Sequence, residues 1–416
     1  MKNAEHIFFI TLAVISGIFI DRCPIAAKTP PLYSTTATSH SDVSANHGKT
    51  TASPSTTAAS HCTTTTDRNN AETRHSDVPA NHGKTTASHS TAAAGYSKTA
   101  IIPSNNTTGC LSAPGIREAL PFGDFEQWTI RRIKESAIVG KDSVTVYEID
   151  RNQTIYGNIP YSNTDSPWAT SNAFAKVMGV VKTNVNVRPA PHITRAENSS
   201  NGNSGERCAE MRTEIMSFKV LGMAKVEVLT AGAIYLGKLK EPINSMDNAI
   251  KSVNIGIPFT KRPKYLVFDY KATIRNSGTV SRSTMTKRTD MPGRDKAIAT
   301  VQLQKRTEKD GKIYAERVAT GELLIGGSCD WRHGAKLKLT YGKPENEEAL
   351  SQFSRLNSFF YAENSSGESV PIQETGWADP DTAPTHLIIY FASGYLGPFT
   401  GEIGNSLSID NVMLEY

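Results

Sequence analysis

From about residue 114 to the C-terminus, apolar and polar positions alternate with a period of two. The pattern is plainest at 144–149, 225–229, 265–271, 297–303, 336–341, 386–391 and 407–414. Successive side chains of a strand point to opposite faces, so each run predicts a strand with one face on a core and one toward solvent. Val, Ile, Thr, Tyr and Phe fill these runs, and Gly, Asn and Asp punctuate them, as strand and turn chemistry require. Lys309-Asp310-Gly311-Lys312, between 297–303 and 314–318, predicts a tight hairpin. Asn201-Gly202-Asn203 and Asn364-Ser365-Ser366-Gly367 read as exposed loop tips, and 282–294 reads as a polar loop ending in Pro292-Gly293. The one fair helix candidate is 345–360, which is short and polar. Many strands and almost no helix predict an all-β protein, a sandwich or jelly roll.

The first 113 residues lack this pattern. Residues 7–20 form an apolar run behind Lys2, too short to span a bilayer comfortably and consistent with a secretion signal over 1–27. Cys23 follows Asp21 and Arg22, where a lipidation site needs small residues, so a lipid anchor there is not expected. Residues 28–113 are rich in Ser, Thr, Ala and His and poor in large apolar side chains, so they cannot bury enough surface to offset chain entropy. Within them 40–53 recurs as 75–88 with one change, Ser44 to Pro79. Two copies without an apolar stripe predict a duplicated disordered linker, a stalk, and not a solenoid. Nothing fixes the geometry of its histidines (His40, His47, His61, His75, His82, His89) for metal binding.

Composition narrows the function. A hydrophobic share of 38% fits a chain that is only partly folded. The net charge of +5 comes from 45 basic and 40 acidic residues spread along the chain, which argues against a nucleic-acid surface. Cysteines 23, 62, 110, 208 and 329 show no paired spacing for structural zinc. In an oxidising compartment Cys208 and Cys329 either pair or stay as separate small hydrophobes. No nucleophile elbow, zincin helix or phosphate loop is present. The carboxylates open to a glycosidase reading are Glu126, Asp269, Asp330, Glu374, Asp379 and Asp381, none in a marked context. The folded part has three histidines, His192, His333 and His386. Asp330-Trp331-Arg332-His333 reads as a tight loop before the strand at 336–341, with Trp331, like Trp128, in the core.

Several ordered motifs then carry a resemblance. They are Phe122-Gly123-Asp124-Phe125-Glu126-Gln127-Trp128, Trp168-Ala169-Thr170-Ser171-Asn172-Ala173, Pro258-Phe259-Thr260-Lys261-Arg262-Pro263-Lys264-Tyr265-Leu266, and the run from Phe399 through Asn405 to Asp410-Asn411-Val412. Residues 116–416 resemble the putative carbohydrate metabolism domain family, found in secreted proteins of glycan-foraging Gram-negative bacteria. One departure is Asn411, where the family has an aspartate. The resemblance implies a jelly-roll-like β-sandwich over 114–416, akin to carbohydrate-binding modules.

An indole or phenol offers an apolar face to the CH face of a sugar. Trp377 and Trp168, both read as loop residues, are therefore the first glycan-binding candidates, with Tyr361 and Tyr395 beside loops as lesser ones. The first and last strands of such modules are commonly neighbours, so Glu126, Asp410 and Asp124 would share a structural calcium ion; the competing reading is ordinary edge-strand carboxylates. The expectation is a non-catalytic carbohydrate-binding or glycan-utilisation accessory protein, secreted or at the cell envelope. Its partners are a polysaccharide or other envelope proteins. The alternatives are a glycoside hydrolase with paired carboxylates, or a structural or adhesive envelope protein.

Overall fold

The computed structural model describes residues 115–137, 143–177, 179–192, 207–220, 224–244, 251–283, 287–397 and 399–416. The expected signal segment, the expected linker with its duplication, Cys23, Cys62, Cys110 and the expected loop tip Asn201-Gly202-Asn203 lie outside the described residues. The described chain is all-β. A 3-10 turn stands at Glu347–Ala349.

The first large sheet contains β1 (Arg117–Ala119), β8 (Val187–Pro191), β9 (Arg207–Val220), β10 (Ala224–Ala231), β14 (Tyr265–Thr273), β19 (Cys329–Lys338) and β25 (Ser406–Glu415). Its order is β10-β9-β25-β14-β19, with β1 beside β25 and β8 beside β9. The second contains β5 (Trp168–Thr170), β11 (Ala233–Leu239), β12 (Val253–Ile255), β13 (Ile257–Pro258), β17 (Ala297–Lys309), β18 (Lys312–Ile325), β20 (Thr340–Tyr341), β21 (Tyr361–Glu363), β22 (Ser369–Trp377) and β23 (His386–Ala392). Its main order is β12-β11-β23-β17-β18-β22-β21. Smaller sheets are built by β2 (Trp128–Ile133), β3 (Val144–Ile149) and β4 (Gln153–Tyr156), by β6 (Ala173–Val177) and β7 (Val180–Asn184), and by β15 (Thr279–Ser283), β16 (Arg288–Pro292) and β24 (Thr400–Gly401). Strands before and after 244–255 pair within the same sheets, as β9 does with β25 and β11 with β23, so no boundary between sheets falls there.

The two large sheets face each other across the main core. Phe268, Leu407, Ile409 and Leu414 meet Ile234, Val301, Ile389 and Phe391 there. The second sheet is buried on its other face as well, where Ile298, Ile388 and Tyr390 pack with Phe353 and Phe360. This corrects the expectation of one dry and one wet face for 386–391. The run is apolar at nearly every position because Leu387, Ile389 and Phe391 serve one core and Ile388, Tyr390 and Ala392 the other.

Turn chemistry sets the longest hairpin. Asp310 and Gly311 adopt φ of 52° and 70°, the left-handed pair that a two-residue connection between β17 and β18 needs. Two other readings change. Residues 345–360 do not form a helix, because side chains of β17 and β18 take the carbonyls it would use: Gln302 donates to Phe353 O at 2.6 Å and Arg317 to Ser354 O at 2.9 Å. The polar stretch 282–294 is not all loop: Arg282 and Ser283 close β15, Arg288–Pro292 form β16 beside it, and Ser281 Oγ donates to Asp290 at 2.6 Å. Asn364-Ser365-Ser366-Gly367 is the turn between β21 and β22, as read: Ser365, Ser366 and Gly367 are exposed, and Asn364 is buried at its base. The Asn364 amide donates to Gly311 O at 2.9 Å while its oxygen accepts the Ser366 and Glu368 N–H groups. Cys208 and Cys329 are free thiols on β9 and β19, three strand spacings apart, roughly 14 Å. A disulfide needs its Cα atoms within about 7 Å.

One buried charge cluster makes a pH prediction. Arg131 donates to Glu148 at 2.9 Å and to Glu241 at 2.6 Å. A single guanidinium serves two buried carboxylates, and burial raises both above the usual carboxylate range, Glu148 to about 8. The folded state therefore keeps a proton that the unfolded chain releases near the ordinary glutamate value. Stability from this cluster is fully present below that value and is lost as pH rises through the interval up to about 8. Urea midpoints of wild type are expected to fall across this interval. Those of Glu148→Gln, which carries no titrating proton, are expected to fall less. Parallel profiles would refute this assignment.

Candidate functional site

The outer face of the first sheet carries a polar rung. Asp269 of β14 lies opposite Asp410 of β25. Both neighbours of β14 hold an extra residue at this level. Val267 pairs with Met413 and Asp269 with Asp410, so β25 spends three steps on two, and Asn411 takes φ of 52°. Phe268 pairs with Ala335 and Tyr270 with Arg332, so β19 does the same, with Gly334 at φ of 62°. Such bulges kink a strand and re-aim its side chains. On β25 the bulge lets Ile409 and Val412 both reach the core, three positions apart.

The bulges converge on Asp269. Its Oδ1 accepts the Gly334 N–H at 2.6 Å, and its Oδ2 accepts the Asn411 amide at 3.0 Å. His333 Nδ1 lies 3.0 Å from the same Oδ2. The fourth member arrives from β8. Pro189 and Pro191 cannot donate to a ladder, and β8 pairs only with β9 in this sheet. The next residue, His192, is buried with its Nδ1 on Asp410 Oδ2. Its Nε2 is buried and has no hydrogen-bond partner among the described residues. Trp331 of β19 stacks on this imidazole with centroids 3.6 Å apart and planes 21° from parallel. The indole is only partly covered, and the His333 side chain is 57% exposed, so the rung opens to solvent at this end.

Asp124 and Glu126 approach from the N-terminal side. The turn before them is tied to the bulge by Leu120 N–H to Val412 O at 3.0 Å and Val412 N–H to Gly123 O at 2.9 Å. Glu126 accepts the Arg207 N–H at 2.9 Å. Burial pushes Asp410 up to about 8, and the charges of Asp269, Glu126 and Asp124 push the same way; the Asn411 N–H opposes them. Burial also lowers His192.

The expected trio Asp124, Glu126 and Asp410 thus shares one electrostatic neighbourhood, but Asp410 is bonded to His192. Sequence reasoning missed His192, Asp269, Trp331 and His333 as a group. Asp330-Trp331-Arg332-His333 is not a loop but part of β19. A signal was available, since two of the three histidines in the folded part meet here. Ligand atoms of His192, Asp269 and His333 lie within 4.8 Å of one another. Calcium prefers an all-oxygen shell, whereas two imidazoles with a carboxylate suit a first-row transition metal.

The aromatic candidates lie elsewhere, on or beside the second sheet. Trp168 is in β5, not a loop, and is 0% exposed, so neither indole face can receive a sugar. It packs on Phe125 and Phe391. Trp377 is the last residue of β22, again not a loop; it is partly buried, with the Arg317 guanidinium 5.6 Å from its ring. Tyr361 begins β21, beside β22. Tyr395 follows β23 and packs against the second core. The structure does not bring these four onto one face with the carboxylates.

Fold and site together define an all-β domain whose polar rung is displayed on the outside of a two-sheet core. The chain belongs to the putative carbohydrate metabolism domain family, whose model matches residues 125–415. No curated protein matches it. Among solved structures it is similar to a putative glycoside hydrolase from Bacteroides thetaiotaomicron VPI-5482, at 18% identity and TM-score 0.34, covering 57% of this chain and 59% of that one. The chain thus spans about three fifths of that protein's length. It is also similar to a putative glycoside hydrolase from Bacteroides vulgatus ATCC 8482, at 14% identity and TM-score 0.33, covering 72% of this chain and 94% of that one.

Proposed function

We propose that this protein is a non-catalytic glycan-binding accessory protein of the cell envelope, and that it binds sugar at the rung around Trp331. The observation that carries this is the partly exposed Trp331 indole beside His333, Asp269 and Asn411. An apolar ring next to fixed donors and acceptors matches the two faces of a sugar, one of CH groups and one of hydroxyls. Family membership supports a carbohydrate role. The apolar N-terminal run and the Ser/Thr-rich segment support export and a tether, which would hold the domain near the cell surface.

Glycan-array binding of the full chain tests the reading. Trp331→Ala is expected to weaken binding by about tenfold or more, an amount in keeping with loss of one stacking platform. Trp377→Ala, away from the rung, is expected to leave it unchanged. Unaltered binding in Trp331→Ala would sink the assignment. Release of reducing ends from a bound polysaccharide would replace it with a hydrolase drawing on Asp410, Asp269, Glu126 and Asp124.

A further inference from the structure

We propose that His192, Asp269 and His333 form a binding site for a divalent first-row transition metal of the zinc class. The inference stands on the arrangement of these side chains and does not depend on the glycan reading.

Two imidazoles and a carboxylate within 4.8 Å of one another are a sufficient set of ligands for such an ion, which leaves further positions for water or an incoming hydroxyl. The site is held from behind. Asp269 is oriented by the Gly334 N–H and the Asn411 amide, each supplied by a bulge. His192 is oriented by Asp410 on Nδ1 and by the Trp331 ring on its face. A ligating histidine commonly gives its other ring nitrogen to a carboxylate, which fixes the ring and its tautomer. With Nδ1 engaged by Asp410, Nε2 is the remaining nitrogen. It is buried without a partner, in a side chain 1% exposed. A buried polar atom left unpaired forfeits its hydration without recompense, so its persistence asks for a partner. His333, by contrast, is exposed and offers a route for the ion to enter.

The linker histidines would bind added metal weakly, so the test needs a local reporter. Trp331 stacks on His192 and supplies one. Full-length protein, stripped with chelator, is titrated with zinc while tryptophan fluorescence and heat are followed; cobalt is used in parallel for its visible spectrum. The expected result is one tight class of site per chain that changes the Trp331 signal. Asp410→Asn is expected to weaken that class about 10–100-fold, as loss of an outer-shell partner does. His333→Ala is expected to abolish it, with apo-protein stability unchanged because the side chain is exposed. Trp331→Phe keeps the binding heat and loses the optical change. A tight class that persists unchanged in His333→Ala, or a response to calcium with none to zinc, would overturn the proposal. Glycan binding can fail in every one of these proteins without altering the metal readouts, so the two readings are separable.

Discussion

Trp168→Ala is expected to destabilise the protein by about 3–5 kcal/mol, the range for a large aromatic removed from a packed core. That is a large share of the roughly 5–15 kcal/mol that holds a domain folded. Trp168 is wholly buried between Phe125, in edge contact at 5.4 Å, and Phe391, stacked at 6.3 Å. Its Nε1 donates to Pro121 O at 3.0 Å, so truncation also strands an acceptor. The same bond ties β5 to the 120–126 turn that carries Asp124 and Glu126. The variant is therefore expected to lose order on that side of the rung as well. Urea unfolding measures the first effect. Trp168→Phe, which refills part of the volume without the N–H, is expected to fall between wild type and alanine. A change within about 0.5 kcal/mol in the alanine variant, typical of surface positions, would show that the indole is not the core element described.

Glu374→Ala is expected to cost a comparable amount, about 3–5 kcal/mol, the penalty for breaking a buried ion pair from one side. Arg317 is fully buried, and donates to Glu374 at 2.7 Å from Nε and 2.6 Å from Nη2. Glu374 also accepts from Gln304 at 2.7 Å and from the Asn357 N–H at 2.9 Å. Its removal leaves the buried guanidinium without its counter-charge, held by neutral acceptors such as Thr320 Oγ1 and Ser354 O. Replacing both partners by apolar residues, Arg317→Met with Glu374→Leu, is expected to recover much of the loss, because no charge is then buried alone. If the double variant were no more stable than Glu374→Ala, the pair would not be the source of the effect. The carboxylate read in sequence as open to glycosidase chemistry is thus committed to holding β17, β18 and β22 together.

Much of the fold was legible in the sequence because strand periodicity is local. Alternation at 265–271 and 407–414 placed β14 and β25, and Asp310-Gly311 placed the hairpin between β17 and β18. The errors came where distant residues overrode local preference. Residues 345–360 have a fair helical composition, yet Gln302 and Arg317, far away in sequence, capture their carbonyls. Trp168 and Trp377 follow loop-like residues, yet both pair in strands of the second sheet.

The candidate site divides in the same way. Asp410 and Glu126 could be named in advance as carboxylates of the last and first strands; β1 does pair with β25, but Glu126 lies in the connection after β1 and in no strand. Asp269 could not be singled out, because one aspartate in an alternating strand looks like any solvent-facing position. Its role depends on two bulges in two other strands, and a bulge is a mismatch of lengths between partners that neither strand records alone. His192 and Trp331 are 139 positions apart by their numbers and meet only because β8 and β19 end on one face of one sheet. The sequence by itself determined the class of fold, the strand pattern and most turns, because these follow from nearest-neighbour sterics and the apolar–polar repeat. Only the tertiary structure decided which polar residues share a rung and which aromatics are buried, because both depend on pairing register between segments far apart in the chain.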